Sequence, residues 1–102
     1  MSRRKAPEHL AESTRAWWRG VVAEYELEAS HERSLTLAGE ALDRGEQARR
    51  ALEQFGTTYV DRFGQPRARP EVAIERDSRL AYARLLSALA LDGSGTVRGG
   101  DV

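Results

Sequence analysis

The chain predicts a mainly α fold of three helices, with a small β-hairpin or extended loop before the last one. Three observations carry that expectation. Apolar residues recur at three- and four-residue steps over long stretches. Gly56 and Pro70 stand where one helix should end and the next begin. Between them, Thr57, Thr58, Tyr59 and Val60 are strand formers, and Phe63-Gly64 supplies a turn. With 102 residues the chain holds at most one domain. Residues 1–7 read as a flexible basic arm, 8–92 as a single helical domain, and 93–102 as a flexible, glycine-rich tail.

The first helix is expected from about Glu8 or Ser13 to Glu26, opened by Pro7 in its first turn or capped by Ser13. Trp17, Val21 and Tyr25 form one stripe, with Trp18 and Val22 beside it. A break at 27–29 leads to Ser30, a suitable N-cap for the second helix, with Glu32 in the first turn where the helix dipole favours an acid. This helix runs to Phe55 on Leu35, Ala38, Ala41, Leu42, Ala48, Leu52 and Phe55. Gly39 and Gly45 each weaken it by about 1 kcal/mol relative to alanine, but they let a neighbour approach closely. Gly56 then fits a left-handed cap position. Pro66 confines the segment after the Phe63-Gly64 turn to loose or edge pairing. Pro70, followed by Glu71, opens a third helix carrying Val72, Leu80, Tyr82, Ala83, Leu85, Leu86 and Leu89.

Charge is balanced overall, at 16 basic and 16 acidic residues, but not locally. Arg3, Arg4 and Lys5 form one basic island, and Arg62, Arg67 and Arg69 set against Asp61 form a second. Glu24, Glu26, Glu28 and Glu32 make an acidic run between them. Basic islands on a neutral chain suit phosphate contact.

The absence of cysteine excludes disulfides and thiolate zinc sites. No apolar run approaches the roughly 20 residues needed to span a bilayer. The basic N-terminus lacks the apolar stretch of a secretory signal, so a cytoplasmic location and no membrane partner are expected. His9 and His31 are not spaced with a second ligand, and Glu24 with Glu28, like Glu71 with Glu75, reads as a solvated acidic face one turn apart. No phosphate-cradling glycine loop opens a helix. No catalytic residue, metal site or cofactor is therefore expected. Alanine makes up much of the apolar content, and a core that thin often gains burial by self-association.

Several features recur together in a fixed order. Trp17-Trp18 on the first helix precede Leu27 and a long second helix with Leu35-Thr36-Leu37-Ala38, Ala41-Leu42-Asp43-Arg44 and the stretch from Ala48 to Leu52. Phe55-Gly56, Tyr59-Val60-Asp61-Arg62-Phe63-Gly64 and Arg69-Pro70 follow, and then Leu80, Arg84, Leu85, Leu86 and Leu89-Ala90-Leu91. Over roughly residues 8–92 this order resembles the phage terminase small subunits, which recognise DNA for the genome-packaging motor of tailed phages.

The resemblance implies a ring-type homo-oligomer that binds viral double-stranded DNA and recruits or regulates a large ATPase–nuclease subunit in the bacterial host cytoplasm, without catalysis of its own. Arg62, Arg67 and Arg69, then Arg3, Arg4 and Lys5, would contact phosphate. Leu35, Ala38, Ala41, Leu42 and Trp18 would pack between neighbouring subunits. Many relatives carry histidine where this chain has Arg69, and no separate helix-turn-helix domain precedes the core. Two other readings compete: a small dimeric DNA-binding regulator, and a protein-interaction adaptor that does not bind DNA.

Overall fold

The structure, a computed structural model, describes residues 5–89. It is mainly helical, in the order α1 (Glu12–Glu24), α2 (Ala29–Phe55), β1 (Thr58–Val60), β2 (Pro66–Ala68) and α3 (Pro70–Ala88). The hairpin before the last helix is present as an antiparallel pair, with Thr58 opposite Ala68, Tyr59 opposite Arg67 and Val60 opposite Pro66. Pro70 opens α3, where its missing N–H and fixed φ are both compatible with a first turn. Gly56 ends α2 at φ +82°, a backbone conformation that a side chain would strain, and its N–H donates to the Leu52 carbonyl at 2.8 Å.

The 27 residues of α2 make a rod about 40 Å long. The hairpin reverses the chain, and α3 returns along α2. Ser78, buried, lies against Gly45, where an added Cβ would stand only 3.3 Å from the Ser78 Cβ. At the far end Leu89 joins a buried cluster with Ala6, Leu10, Trp18 and Leu35. Helix α1 covers the same half of α2. There Gly39 leaves room for Leu10 and Thr14, whose methyl carbons would each be 3.1 Å from a Cβ at that position. Trp17 packs on Tyr82 of α3 with ring centroids 5.8 Å apart. Trp18 is buried, and its indole N–H donates to Thr36 Oγ1 at 3.2 Å.

Both helix starts differ from the sequence expectation. Helix α1 begins at Glu12 with Ala11 as its N-cap, and neither Ser13 nor Pro7 caps it. Asp43 of α2 supplies the missing acceptors: Oδ2 takes the Ala11 N–H at 2.8 Å and Oδ1 takes the Thr14 hydroxyl at 2.6 Å. Helix α2 begins at Ala29, one residue before Ser30, and is capped by Glu28. The Glu28 side chain accepts the His31 backbone N–H, and His31 Nδ1 accepts the Glu28 N–H at 3.3 Å, a reciprocal capping box. Glu24 ends α1 and Glu28 caps α2, so these two carboxylates are not one turn apart on a single helix.

Ala6 is buried with Leu10, so the chain is already packed before residue 8. Arg3, Arg4 and the 93–102 tail lie outside the described residues. No described helix is long and apolar enough to cross a membrane.

Candidate nucleic-acid interface

The hairpin is the least covered part of the fold. All six strand residues are exposed, as are Arg62, Phe63, Gly64 and Gln65 between them. Its conformation is fixed from within by Asp61. One carboxylate oxygen accepts the backbone N–H groups of Phe63 at 2.8 Å and Gln65 at 2.9 Å, while the other accepts Arg67 Nε at 2.9 Å. Backbone bonds from Gly64 to the Asp61 carbonyl at 3.0 Å and from Asp61 to the Gln65 carbonyl at 2.9 Å close the turn, with Gly64 at φ +78°. The Arg67 guanidinium, then the Gln65 and Phe63 amides, hold the Asp61 carboxyl below the usual aspartate range.

The register sorts the hairpin into two faces, because residues directly opposite each other point the same way. Tyr59 and Arg67 share one face. The Arg69 guanidinium continues it, lying 5.3 Å from the Phe55 ring centroid and 5.9 Å from that of Tyr59. The other face carries Thr58, Val60, Pro66 and Ala68, with Val60 69 % exposed. At the tip, Phe63 is 72 % exposed, the highest value among the exposed large apolar side chains described, and Arg62 sits 4.9 Å from its ring centroid.

Of the residues expected to contact phosphate, the four described ones, Lys5, Arg62, Arg67 and Arg69, do not form one patch. Arg62, Arg67 and Arg69 come together at the hairpin, but in different states. Arg62 has no carboxylate partner among the described residues, Arg67 is paired with Asp61, and Arg69 is half-buried between aromatic rings with its Nε unmatched by any described acceptor. Lys5 is exposed and lines a groove with Pro7, Trp18 and Leu37 on the opposite half of α2. The stretch of α2 from Leu37 to Phe55 separates these two basic regions by about 27 Å.

The residues expected between subunits are largely occupied within one chain. Leu35, Ala38, Ala41 and Trp18 are buried against this chain's own elements, and a buried side chain has no surface left for a second copy. Leu42 is half-buried and lines a groove between α2 and α3 with Gly45, Ser78 and Tyr82. The large apolar side chains exposed on the helices are instead Leu37, Phe55, Ile74 and Leu80.

Sequence reading missed the Asp61–Arg67 ion pair and the Arg69 stack on Phe55 and Tyr59. The Asp-x-x-Gly spacing of Asp61 and Gly64 marks the turn, and the strand register it sets brings Arg67 back to Asp61. The Arg69 stack joins the end of α2, β1 and the cap of α3, and no local pattern in the sequence encodes it.

Among the described residues no group of three or more histidine, aspartate or glutamate side chains is placed to hold a metal ion. Compared with protein-family models, curated proteins and solved structures, the chain matches none of them.

Proposed function

We propose that this chain is the small subunit of a phage terminase, binding viral double-stranded DNA and recruiting or regulating the large ATPase–nuclease subunit during packaging. The proposed role is non-enzymatic and is exercised by a homo-oligomeric ring in the bacterial host cytoplasm. The ordered features from Trp17-Trp18 to Leu91 supply the family reading. The observation that carries DNA binding is the projecting hairpin, on which three arginines face one aspartate that is already committed to its own turn.

One protomer presents few phosphate contacts. Each contact contributes about 0.9 to the slope of log affinity against log salt, so a single chain holds DNA weakly at physiological salt. Repetition around a ring multiplies such contacts through effective concentration. In that assembly the subunit contact would use exposed apolar groups such as Leu37, Ile74 and Leu80, since Trp18, Leu35, Ala38 and Ala41 are buried in the protomer and Leu42 is half-buried.

A dimeric regulator would need a basic recognition face on a helix. On α2, Arg49 is paired with Glu46 and Glu53, and Arg50 with Glu46, so two of the three arginines of that half-helix are neutralised locally. This favours the hairpin over α2 as the DNA-contacting element.

The test is binding to labelled duplex DNA at stepped salt, with native mass measured alongside. Salt-dependent binding by a discrete multimer, weakened by Arg62→Ala with a shallower salt slope, is expected. A stable monomer at micromolar concentration would remove the ring. No binding even at low salt would leave the adaptor reading.

A further inference from the structure

We propose that Phe63 is a wedge that enters a base step of duplex DNA from the minor groove, with Arg62 beside it on the phosphate-lined groove wall. The proposal rests on the DNA-binding reading above and assigns the hairpin tip a specific action within it.

Phe63 occupies a place where a folded chain does not ordinarily leave a phenyl ring. It is at the apex of a two-stranded ribbon, 72 % exposed, with only the Arg62 guanidinium recorded against its face, at 4.9 Å. The apex is pre-formed, because Asp61 holds the Phe63 and Gln65 amides and is itself held by Arg67. A ring on such a turn is presented without first having to order the loop that carries it.

The ribbon is long enough. Each strand has three residues, and at about 3.3 Å per residue the ribbon projects about 10 Å, which exceeds the minor-groove depth of about 7.5 Å. Two strands about 4.8 Å apart with their side chains are wider than a closed groove of about 6 Å, so only the tip enters, and its entry requires the groove to open as a wedge opens it. Apolar side chains inserted at base steps, flanked by arginine or lysine, are a recurrent means by which proteins open the minor groove and kink DNA.

The choice of DNA over a protein partner follows from charge. Residues 57–70 carry Arg62, Arg67 and Arg69 against Asp61 alone, and with Arg67 paired to Asp61 and Arg69 stacked on Phe55 and Tyr59 it is Arg62 that sets a positive charge directly beside the exposed ring. That charge complements a polyanion, and the apolar ring complements the stacked bases between its phosphate walls.

The experiment uses the full chain with a short duplex carrying a donor and an acceptor dye at its two ends. Binding of the unaltered protein should shorten the end-to-end distance, and Phe63→Leu should preserve that change because the wedge needs apolar bulk. Phe63→Ala should bind about tenfold more weakly and leave the duplex straight. Its salt slope and thermal midpoint should stay at those of the unaltered chain, since the ring contacts neither phosphate nor core.

Binding by the unaltered chain without bending overturns the wedge while leaving DNA binding intact. Equal bending by Phe63→Ala does the same. If Phe63→Ala lowers the native mass and leaves DNA binding unchanged, the ring serves a second copy of the chain and the proposal is wrong. Failure of every variant to bind the duplex removes the DNA-binding reading itself.

Discussion

Thr14 donates its hydroxyl to Asp43 at 2.6 Å across the contact between α1 and α2. The other Asp43 oxygen takes the Ala11 N–H at 2.8 Å, so a residue on α2 performs for α1 the work of an N-terminal cap. Hydrogen bonds to a charged group contribute about 1.5–3 kcal/mol, and Thr14 is buried, so the loss of its bond weighs more than that of the exposed Ala11 N–H, which water can replace. Asp43→Ala is expected to destabilise the chain by about 2–4 kcal/mol, and Thr14→Val by about 1–2 kcal/mol. Denaturant unfolding of both variants and their double mutant checks this: the double mutant should be little worse than Asp43→Ala, because the two share one bond.

Arg69 differs from the other hairpin arginines in what it holds together. Its guanidinium lies over Phe55 at the end of α2 and Tyr59 on β1, while its backbone caps α3. Arg69→Ala should lower stability by about 1–2 kcal/mol through the two lost ring contacts. Arg69→Lys should recover only part of that, since an ammonium keeps the charge without the planar stack. In duplex binding, Arg69→Ala should leave the salt slope unchanged where Arg62→Ala reduces it, separating a structural arginine from one that meets phosphate.

The turn carries its own acid sensitivity. The Asp61 carboxyl is held below its ordinary value of about 3.9 by Arg67, Gln65 and Phe63. A depressed value means the stabilisation is present above the unfolded value and is lost as pH falls through the lower, folded one. The hairpin tip should therefore be unchanged from neutral pH down to the ordinary aspartate range and open only on acidification below it. The Phe63 and Gln65 amide resonances should move together on acidification, and Asp61→Asn should abolish that coupled movement.

Two helical glycines should respond in opposite directions. Gly20 is exposed inside α1 with nothing within 4 Å of where a Cβ would be, so Gly20→Ala should stabilise by about 1 kcal/mol through helix propensity alone. Gly39 faces Leu10 and Thr14 at 3.1 Å, and Gly39→Val should cost about 1–3 kcal/mol by pushing α1 away from α2. Thermal melts of the two variants should straddle that of the unaltered chain.

These residues also show where the sequence is legible and where it is not. The three helices, the Gly56 stop, the Phe63-Gly64 turn and the Pro70 start are written in local order, because periodicity, positive φ and a missing N–H are properties of neighbouring residues. The start of α1 is not, since its cap belongs to Asp43 on another helix. Ser30 looked like a cap, but the Glu28–His31 exchange satisfies the α2 terminus two residues earlier.

The stripe of Leu35, Ala38 and Ala41 announced a buried face without saying whose surface would bury it, and α1 and α3 of the same chain do so. Likewise, three arginines near a turn read as one basic island. Only the fold reveals that one is paired with a carboxylate, one is stacked on rings, and one stands free of a carboxylate partner.

Ala6 and Leu89 share one buried cluster with Leu10, Trp18 and Leu35, so the beginning and end of the described chain complete the same core. This sets an order of maturation during synthesis. The α1–α2 and α2–hairpin–α3 contacts can begin to form as their residues emerge, but the cluster around Trp18 and Leu35 is complete only once Leu89 is available to it. A nascent chain arrested before that residue would hold this cluster with one apolar member missing, leaving part of it open to chaperones and proteases.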